Sequence, residues 1–451
     1  MDTQVRRSSY SEANRSLDVF PEIFGDPMFK KSSTKVKETS KNANLFAEDG
    51  CYLLDRVSGI PAEKQFYEFQ QVLKWMGLLF EASSTQITRT FQYSWLTFLL
   101  FISFYTVVHD FYFLATDFHS NFAPSTLVVA AITFQGSIST LFSLHWQKNL
   151  HFQAFFHTWR HSRIPDIESF EKYENRVFSG NRRQFWGFQV YALLSALVFI
   201  FAIWSGLLKK LVHPSFITVF YCSELCYVRP FFFVLHLSIV TNNLETYLCL
   251  TNAIHCELKK FNYKIVQLKE VSRQSLKDEL QNLIYQHTKI TCSIRLMDDL
   301  YKVYAFMVTA CVIPLTIFVL TLVLTRSSLM ELMVSLPTVG FCTFELYAIM
   351  YPSRLSEEFS KSKSLLCMCH NVWIPYEENV NKIAQTLAIH LDQPDLGVSL
   401  WGFTLVTKPL ILTTVSAMMT CLAFLLDLRP KEENANACRC PSNSTNDTQT
   451  L

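Results

Sequence analysis

Four residues near the end of the chain, Thr420, Phe424, Asp427 and Leu428, carry the first functional signal. Thr420, Phe424 and Leu428 stand at i, i+4 and i+8 of an apolar run, on one face of a helix. Asp427 closes that run, where a carboxylate meets the membrane boundary. A ring of acidic residues attracts cations, and closely packed apolar rings gate a pore by dewetting. In a lone helix the same residues are ordinary lipid-facing side chains and a boundary carboxylate in water. A second carboxylate, Glu345, lies within another apolar run. A charge at the bilayer centre costs roughly 2.5 kcal/mol or more on insertion scales, so Glu345 is expected to face protein or water. Lys302 and Lys408 are its candidate partners; the alternative is that the span ends early and leaves Glu345 at the membrane surface. The sequence has no phosphate-binding glycine loop, no catalytic triad spacing and no His-Glu-x-x-His, and holds 11 glycines in all, so an enzyme reading has no residues to carry it. Cys367-Met368-Cys369-His370 crowds three metal-capable side chains into four residues but has no second cluster at zinc spacing, which favours packing over a metal site. No cofactor is implied.

These residues are positioned by membrane spans. The chain has 451 residues, 50% of them hydrophobic and 14% aromatic, with 17% charged, whereas a soluble domain carries about 25% charged residues. The apolar residues collect in runs of about 20, the length of a bilayer's hydrocarbon core. Seven such runs are read, at 91–114, 125–146, 185–208, 229–250, 302–324, 331–351 and 401–428, of which the fourth, beginning near Pro230, and the sixth, holding Glu345, are the least clean. With the N-terminus placed in the cytoplasm, 31 of the 40 Lys and Arg fall inside and 6 outside, which satisfies the positive-inside rule. Seven spans then place the C-terminus outside. The acceptors Asn443-Ser444-Thr445 and Asn446-Asp447-Thr448 in the tail agree, because a used glycosylation site faces the exterior. This orientation is opposite to that of a G-protein-coupled receptor, and neither Asp/Glu-Arg-Tyr nor Asn-Pro-x-x-Tyr occurs where that class needs it. Cys222, Cys226, Cys438 and Cys440 face the oxidising side, where either a disulfide or free thiols would serve.

The expected fold class is therefore all-α: a seven-transmembrane-helix membrane protein with a cytoplasmic helical bundle. Residues 1–60 are polar and charged, with no signal-peptide core, and read as a disordered cytoplasmic segment. Residues 61–90 read as an amphipathic helix at the inner surface, 91–428 as the membrane domain, and 429–451 as an exterior tail. The apolar stripes Leu258, Phe261, Ile265, Leu268, Leu280, Leu283 and Ile284, and Leu365, Ile383, Leu387 and Leu391, have helical spacing. They predict that the fourth and fifth spans run on past the membrane and pack with residues 355–398. In the outward halves of the spans, Gln135, Trp204, Tyr221, His236 and Thr321 are candidate ligand contacts, polar or aromatic groups in apolar walls.

With these residues in view, the chain resembles the invertebrate gustatory receptors, relatives of the insect odorant receptors. The C-terminal signature of that family is Thr-Tyr, five hydrophobic residues, then Gln-Phe. Here Thr420 and Leu422 to Leu426 match, while Cys421, Asp427 and Leu428 replace Tyr, Gln and Phe. Gly402-Phe403-Thr404 followed by Lys408-Pro409-Leu410-Ile411 resembles the family's lead-in, and Val72 to Leu79 its N-terminal segment ending in Gly-Leu. The resemblance implies a ligand-gated cation channel of four subunits, homo- or heteromeric, joined through a cytoplasmic anchor. The seventh span would line the pore, with Phe424 and Leu428 at the constriction and four copies of Asp427 as an acidic ring. It further implies a small-molecule tastant as ligand, a lipid bilayer and no nucleic acid as surroundings, and the plasma membrane of a sensory neuron's dendrite as location. A metabotropic receptor, a transporter and a light-responsive member of the family are the alternatives.

Overall fold

The computed structural model describes residues 60–78, 86–116, 123–149, 151–164, 168–206, 228–325, 329–393 and 395–427. They form twelve helices and one two-stranded ribbon: α1 (Pro61–Trp75), α2 (Gln86–Thr116), α3 (Ala123–Lys148), α4 (His151–Ser162), α5 (Glu168–Trp204), α6 (Val228–Gln267), α7 (Arg273–Thr325), α8 (Leu329–Met350), α9 (Ser353–Cys367), α10 (His370–Trp373), α11 (Glu378–Leu391), β1 (Ser399–Leu400), β2 (Thr404–Leu405) and α12 (Lys408–Asp427). Among the described residues α2, α3, α5, α7 and α12 are long and apolar enough to cross a membrane, which makes the chain a multi-pass membrane protein. Helices α6 and α8 occupy the places of the fourth and sixth expected runs. The segments 1–59 and 428–451, with both glycosylation acceptors and Leu428, lie outside the described residues, as do Tyr221, Cys222 and Cys226.

The centre of the fold is α6. From His236 to Asn262 every residue except Lys259 is buried, because α1, α3, α5, α7, α8 and α9 all pack against it. At 1.5 Å per residue, α6 is about 60 Å long and α7 about 80 Å, against a hydrocarbon core of about 30 Å. Both therefore continue well past any bilayer, as the periodic stripes predicted. Beyond the apolar stretches α6 and α7 pack with α9 and α11. Leu258, Phe261, Ile265, Leu268, Leu280 and Leu283 are buried there, along with Leu387 and Leu391. Ile284, Leu365 and Ile383 are only half-buried; their neighbours Leu366 and Ala384 take the core positions. A buried ion cluster ties the same region together. Lys260 Nζ lies 3.0 Å from Glu257 and 3.2 Å from Glu174 of α5, and Glu257 accepts the backbone N–H of Ile164 at 2.8 Å. Burial pulls the Lys260 ammonium down, and the two carboxylates outweigh burial, so its pKa lies above the ordinary lysine value.

Helix α1 opens with Pro61 in its first turn, where a missing N–H costs nothing. It closes on Gly77 at φ +71°, with Leu78 N–H bonded to Leu73 O at 2.9 Å and Gly77 N–H to Lys74 O at 3.0 Å, a paired C-terminal cap. A Cβ on Gly77 would lie 2.6 Å from the Trp95 ring, whose Nε1 donates to Met76 O at 3.1 Å. The apolar face of α1, with Phe66, Phe69 and Leu73, is covered by protein rather than left bare.

Two expected boundaries are corrected. The third run begins as a helix at Glu168 rather than Phe185, because its polar N-terminal part packs on α6. The last helix begins at Lys408 rather than Trp401. Residues Ser399–Leu405 form an antiparallel ribbon, with Ser399 opposite Leu405 and Leu400 opposite Thr404. Trp401 at φ 52° and Gly402 at φ 75° reverse the chain between them.

His255 of α6 is 6% exposed. Burial first, then Lys259, Arg354 and Lys361, hold its pKa down to about 4 against the opposing pull of Glu358. Its folded pKa lies below that of free imidazole, so the unfolded chain takes up the extra proton. The resulting stability is complete above pH 6.5 and is lost as pH falls from there toward 4. Thermal unfolding of the purified protein is expected to lose about 1–3 kcal/mol across that window from this group. His255→Gln should flatten part of the slope; an unchanged slope would show that His255 does not carry it.

Candidate functional site

One face of α3 carries Gln135, Ser139 and Ser143 at four-residue intervals, so they stack along the helix. Each reaches a different neighbour. Gln135 Nε2 donates to a carboxylate oxygen of Glu345 on α8. Ser139 Oγ lies 3.1 Å from Tyr304 Oη on α7, and its backbone carbonyl accepts Asn243 Nδ2 of α6 at 2.9 Å. Ser143 Oγ donates to Asn243 Oδ1 at 2.7 Å. Gln135, Ser139 and Glu345 are fully buried, at 1% exposure or less. The result is a ladder of hydrogen bonds joining α3, α6, α7 and α8.

Two further rungs lie along α6 at seven-residue intervals from Asn243. His236 Nε2 is 2.8 Å from Ser103 Oγ of α2. Its ring presses on Gly136, where an added Cβ would come within 2.3 Å of the His236 Cβ. Glycine there lets α3 and α6 approach closely enough to bond. Seven residues earlier, Arg229 donates to Asp110 of α2. Both side chains are buried, at 7% and 0% exposure, and His109 Nδ1 lies 3.4 Å from the same carboxylate oxygen. Charges buried in this way must be paired, since an isolated one costs several kcal/mol.

The structure thus brings Gln135 and His236 to the same crossing of α3 and α6. Trp204 stands apart at the end of α5, 76% exposed. Thr321 gives its hydroxyl to Ile317 O of its own helix at 2.8 Å. The expected partners of Glu345 are corrected. Lys302 pairs with Asp299 at 2.5 Å and Lys408 with Glu357 at 2.7 Å, while Glu345 turns inward to Gln135. It is fully buried rather than placed at a surface. Ser103, Asp110, Ser139, Ser143, Arg229, Asn243 and Tyr304 were not among the sequence-derived candidates. The four-residue spacing of Gln135, Ser139 and Ser143 along α3 is a regularity that could have found two of them, but a serine at such a position is equally able to bond its own helix.

The last helix is disposed differently. Only 11% of the apolar window of α12 is buried, against 50% for α3. Met418 and Leu422 are its buried residues, and α7 is its main neighbour. Thr420, Phe424 and Asp427 are exposed. Thr420 Oγ1 donates to Ser416 O at 2.9 Å. The root of α12 is fixed to α7: Asp298 accepts the N–H and hydroxyl of Ser399 at 2.5 and 2.8 Å, and Trp401 N–H donates to Lys302 O at 2.9 Å.

Long buried helices with an uncovered apolar helix define a polytopic helical membrane protein. Comparison with solved structures gives the fold a closer description. The chain is similar to the insect olfactory receptor OR5 from Machilis hrabei, with a TM-score of 0.64 and 11% sequence identity over 81% of this chain and 100% of that one. The structure of the same receptor in complex with eugenol matches equally, at 0.64 and 11%. The chain therefore has the fold of an insect olfactory receptor, a relative of the gustatory receptors that its C-terminal residues resemble. No protein-family model matches the sequence, and no curated protein does.

The Asp110–Arg229 rung generates a stability test. Asp110→Asn removes one charge-assisted hydrogen bond from the buried guanidinium and should cost about 1.5–3 kcal/mol, whereas Asp110→Leu with Arg229→Met should recover most of the loss. Unfolding midpoints of the purified variants measure both. Equal losses in single and double variants would mean that the pair does not act as a unit.

Proposed function

We propose that the chain is a gustatory-type chemoreceptor that works as a ligand-gated, non-selective cation channel. Seven helices cross the plasma membrane in this reading, α6 and α8 included, with the N-terminus in the cytoplasm and the C-terminus outside. The subunits assemble as a homo- or heterotetramer whose pore is lined by α12. The observation that carries the reading is the surface of α12. At about 100° per residue, Thr413, Ser416, Thr420 and Asp427 fall within an arc of about 60° on the side opposite Met418 and Leu422. A helix left to lipid gains nothing from a stripe ending in a carboxylate, whereas a water-filled axis between copies does. Phe424 borders the stripe and supplies the apolar constriction with Leu428, and Asp427 supplies an acidic ring at the outer mouth.

The ligand in this reading is a small molecule taken up beside Gln135 and His236, with Tyr221, Trp204 and Thr321 as further contacts. The support is the crossing of α3 and α6, where buried polar groups are set in apolar walls, and the eugenol complex of a receptor with this fold. Binding favours the open pore by its higher affinity for that state. The site is the dendrite membrane of a sensory neuron, and no step requires a cofactor or enzyme chemistry.

Two measurements test the proposal. Epitope tags at both ends, probed on intact and then permeabilised cells, should show the C-terminal tag outside and the N-terminal tag hidden. The reverse pattern would overturn the orientation and the pore together. In patch-clamp recordings, Asp427→Asn should lower single-channel conductance or divalent permeation; unchanged permeation would remove Asp427 from the pore.

A further inference from the structure

Helix α5 carries one exposed stripe along most of its length. At about 100° per residue, Lys172, Arg176, Arg183, Trp186, Val190, Leu194 and Leu197 fall within an arc of about 80°. All seven are exposed. The stripe changes chemistry along the helix. Val190, Leu194 and Leu197 are apolar and between 54% and 55% exposed, left bare by the fold. Trp186 stands at the join, where amphipathic rings mark a membrane boundary. Before it the stripe is basic. The nearby carboxylates are engaged elsewhere. Glu68 of α1 holds Arg182 at 2.9 Å, and Glu174, the one carboxylate between 172 and 204, is buried against Lys260. Glu171 lies outside the arc, about 100° from Lys172. Among the described residues no carboxylate pairs with Lys172, Arg176 or Arg183.

We propose that this stripe binds a diacyl phospholipid whose headgroup carries phosphate beyond its phosphodiester, drawn from the leaflet on the side of the α5 N-terminus. The acyl chains lie along Val190, Leu194 and Leu197. The phosphodiester then meets Arg183, which precedes Trp186 by about 4.5 Å along the axis, within a headgroup layer about 5–7 Å deep. Arg176 precedes Trp186 by about 15 Å, past that layer. A plain phosphodiester stops short of it, whereas a further phosphate on an extended headgroup reaches it. Phosphate oxygens match the planar fork of a guanidinium. The ammonium of a choline or serine headgroup has the wrong charge for that position. A basic cluster next to a membrane span attracts anionic lipid in the same way wherever it occurs. Lipid binding is measured without current, so the site stands or falls apart from the channel reading.

The test is native mass spectrometry of the full chain purified in detergent, with phosphatidylinositol bisphosphate, phosphatidylserine and phosphatidylcholine offered in equal amounts. The bisphosphate lipid is expected to be retained ahead of the other two. Arg176→Gln and Arg183→Gln should each lower its retention about fivefold, the contribution of one basic residue at a membrane surface. Both side chains are exposed, so neither change threatens the fold. Lys382→Gln, which removes an exposed charge from α11, should leave retention unchanged. Inositol trisphosphate, a headgroup without tails, separates a lipid from a soluble phosphate and should compete weakly. Full competition by it would overturn the lipid as occupant. Equal retention of phosphatidylserine, unchanged retention in both arginine variants, or the same loss in Lys382→Gln would overturn the site.

Discussion

A helix buried on every side cannot leave its polar groups to solvent, and α6 carries many of them. Asn242, Asn243, Glu245, Asn252, His255, Glu257, Lys260 and Asn262 all lie on its enclosed stretch. Asn243, Asn252, Glu257, Lys260 and Asn262 bond to groups outside α6, and these bonds set the register of the bundle. Asn243 holds α3 through Ser139 and Ser143. Asn252 accepts Tyr351 Oη at 2.7 Å. Asn262 donates to Glu358 O at 3.1 Å and accepts Ser362 Oγ at 2.5 Å, which fixes α9. Sliding any of these helices by one turn would break several bonds at once. Apolar packing supplies the bulk of the stability, but it is non-directional; the polar partners decide which arrangement is adopted.

The same demand explains which parts of the fold were legible in the sequence. Leu258, Phe261, Ile265 and Leu268 announce a helix face because their spacing matches one side of a 3.6-residue repeat. Where two apolar residues are adjacent, the repeat alone cannot choose between them, and the core took Leu366 and Ala384 in place of Leu365 and Ile383. Periodicity failed at Trp401 for another reason. The segment is apolar enough to read as helix, but two successive residues at positive φ end that possibility and make the turn of the ribbon.

The candidate site was legible only in part. Gln135 and His236 stand out because an amide and an imidazole in an apolar run need an explanation. Ser139 and Ser143 do not, because a hydroxyl in a helix can satisfy itself on the carbonyl four residues back. Ser137 and Thr140 do so, at 2.8 and 2.9 Å, on the same helix. Residue type therefore cannot tell a bridging serine from a self-satisfied one; the difference lies in which face meets a partner. Asp110 and Arg229 are 119 positions apart in the chain, and nothing local in either segment indicates the other.

Helix α7 is the element that both the ladder and the last helix share. Tyr304 sits on the ladder through Ser139. Asp298 and Lys302, six and two residues earlier, hold the ribbon that leads into α12, and Phe306 packs on Trp401 with ring centroids 5.0 Å apart. From Asp298 to Tyr304 is about 9 Å along a continuous helix. Over that distance a helix behaves as a rigid rod, so a displacement of Tyr304 is a displacement of the root of α12. The rest of α12 has little protein against it, with Met418 and Leu422 as its buried residues. A movement delivered to its root therefore meets little resistance within the subunit. What opposes it must come from whatever covers the exposed face. In the proposed channel reading, this short stretch of α7 is the direct link between the buried polar ladder and the last helix.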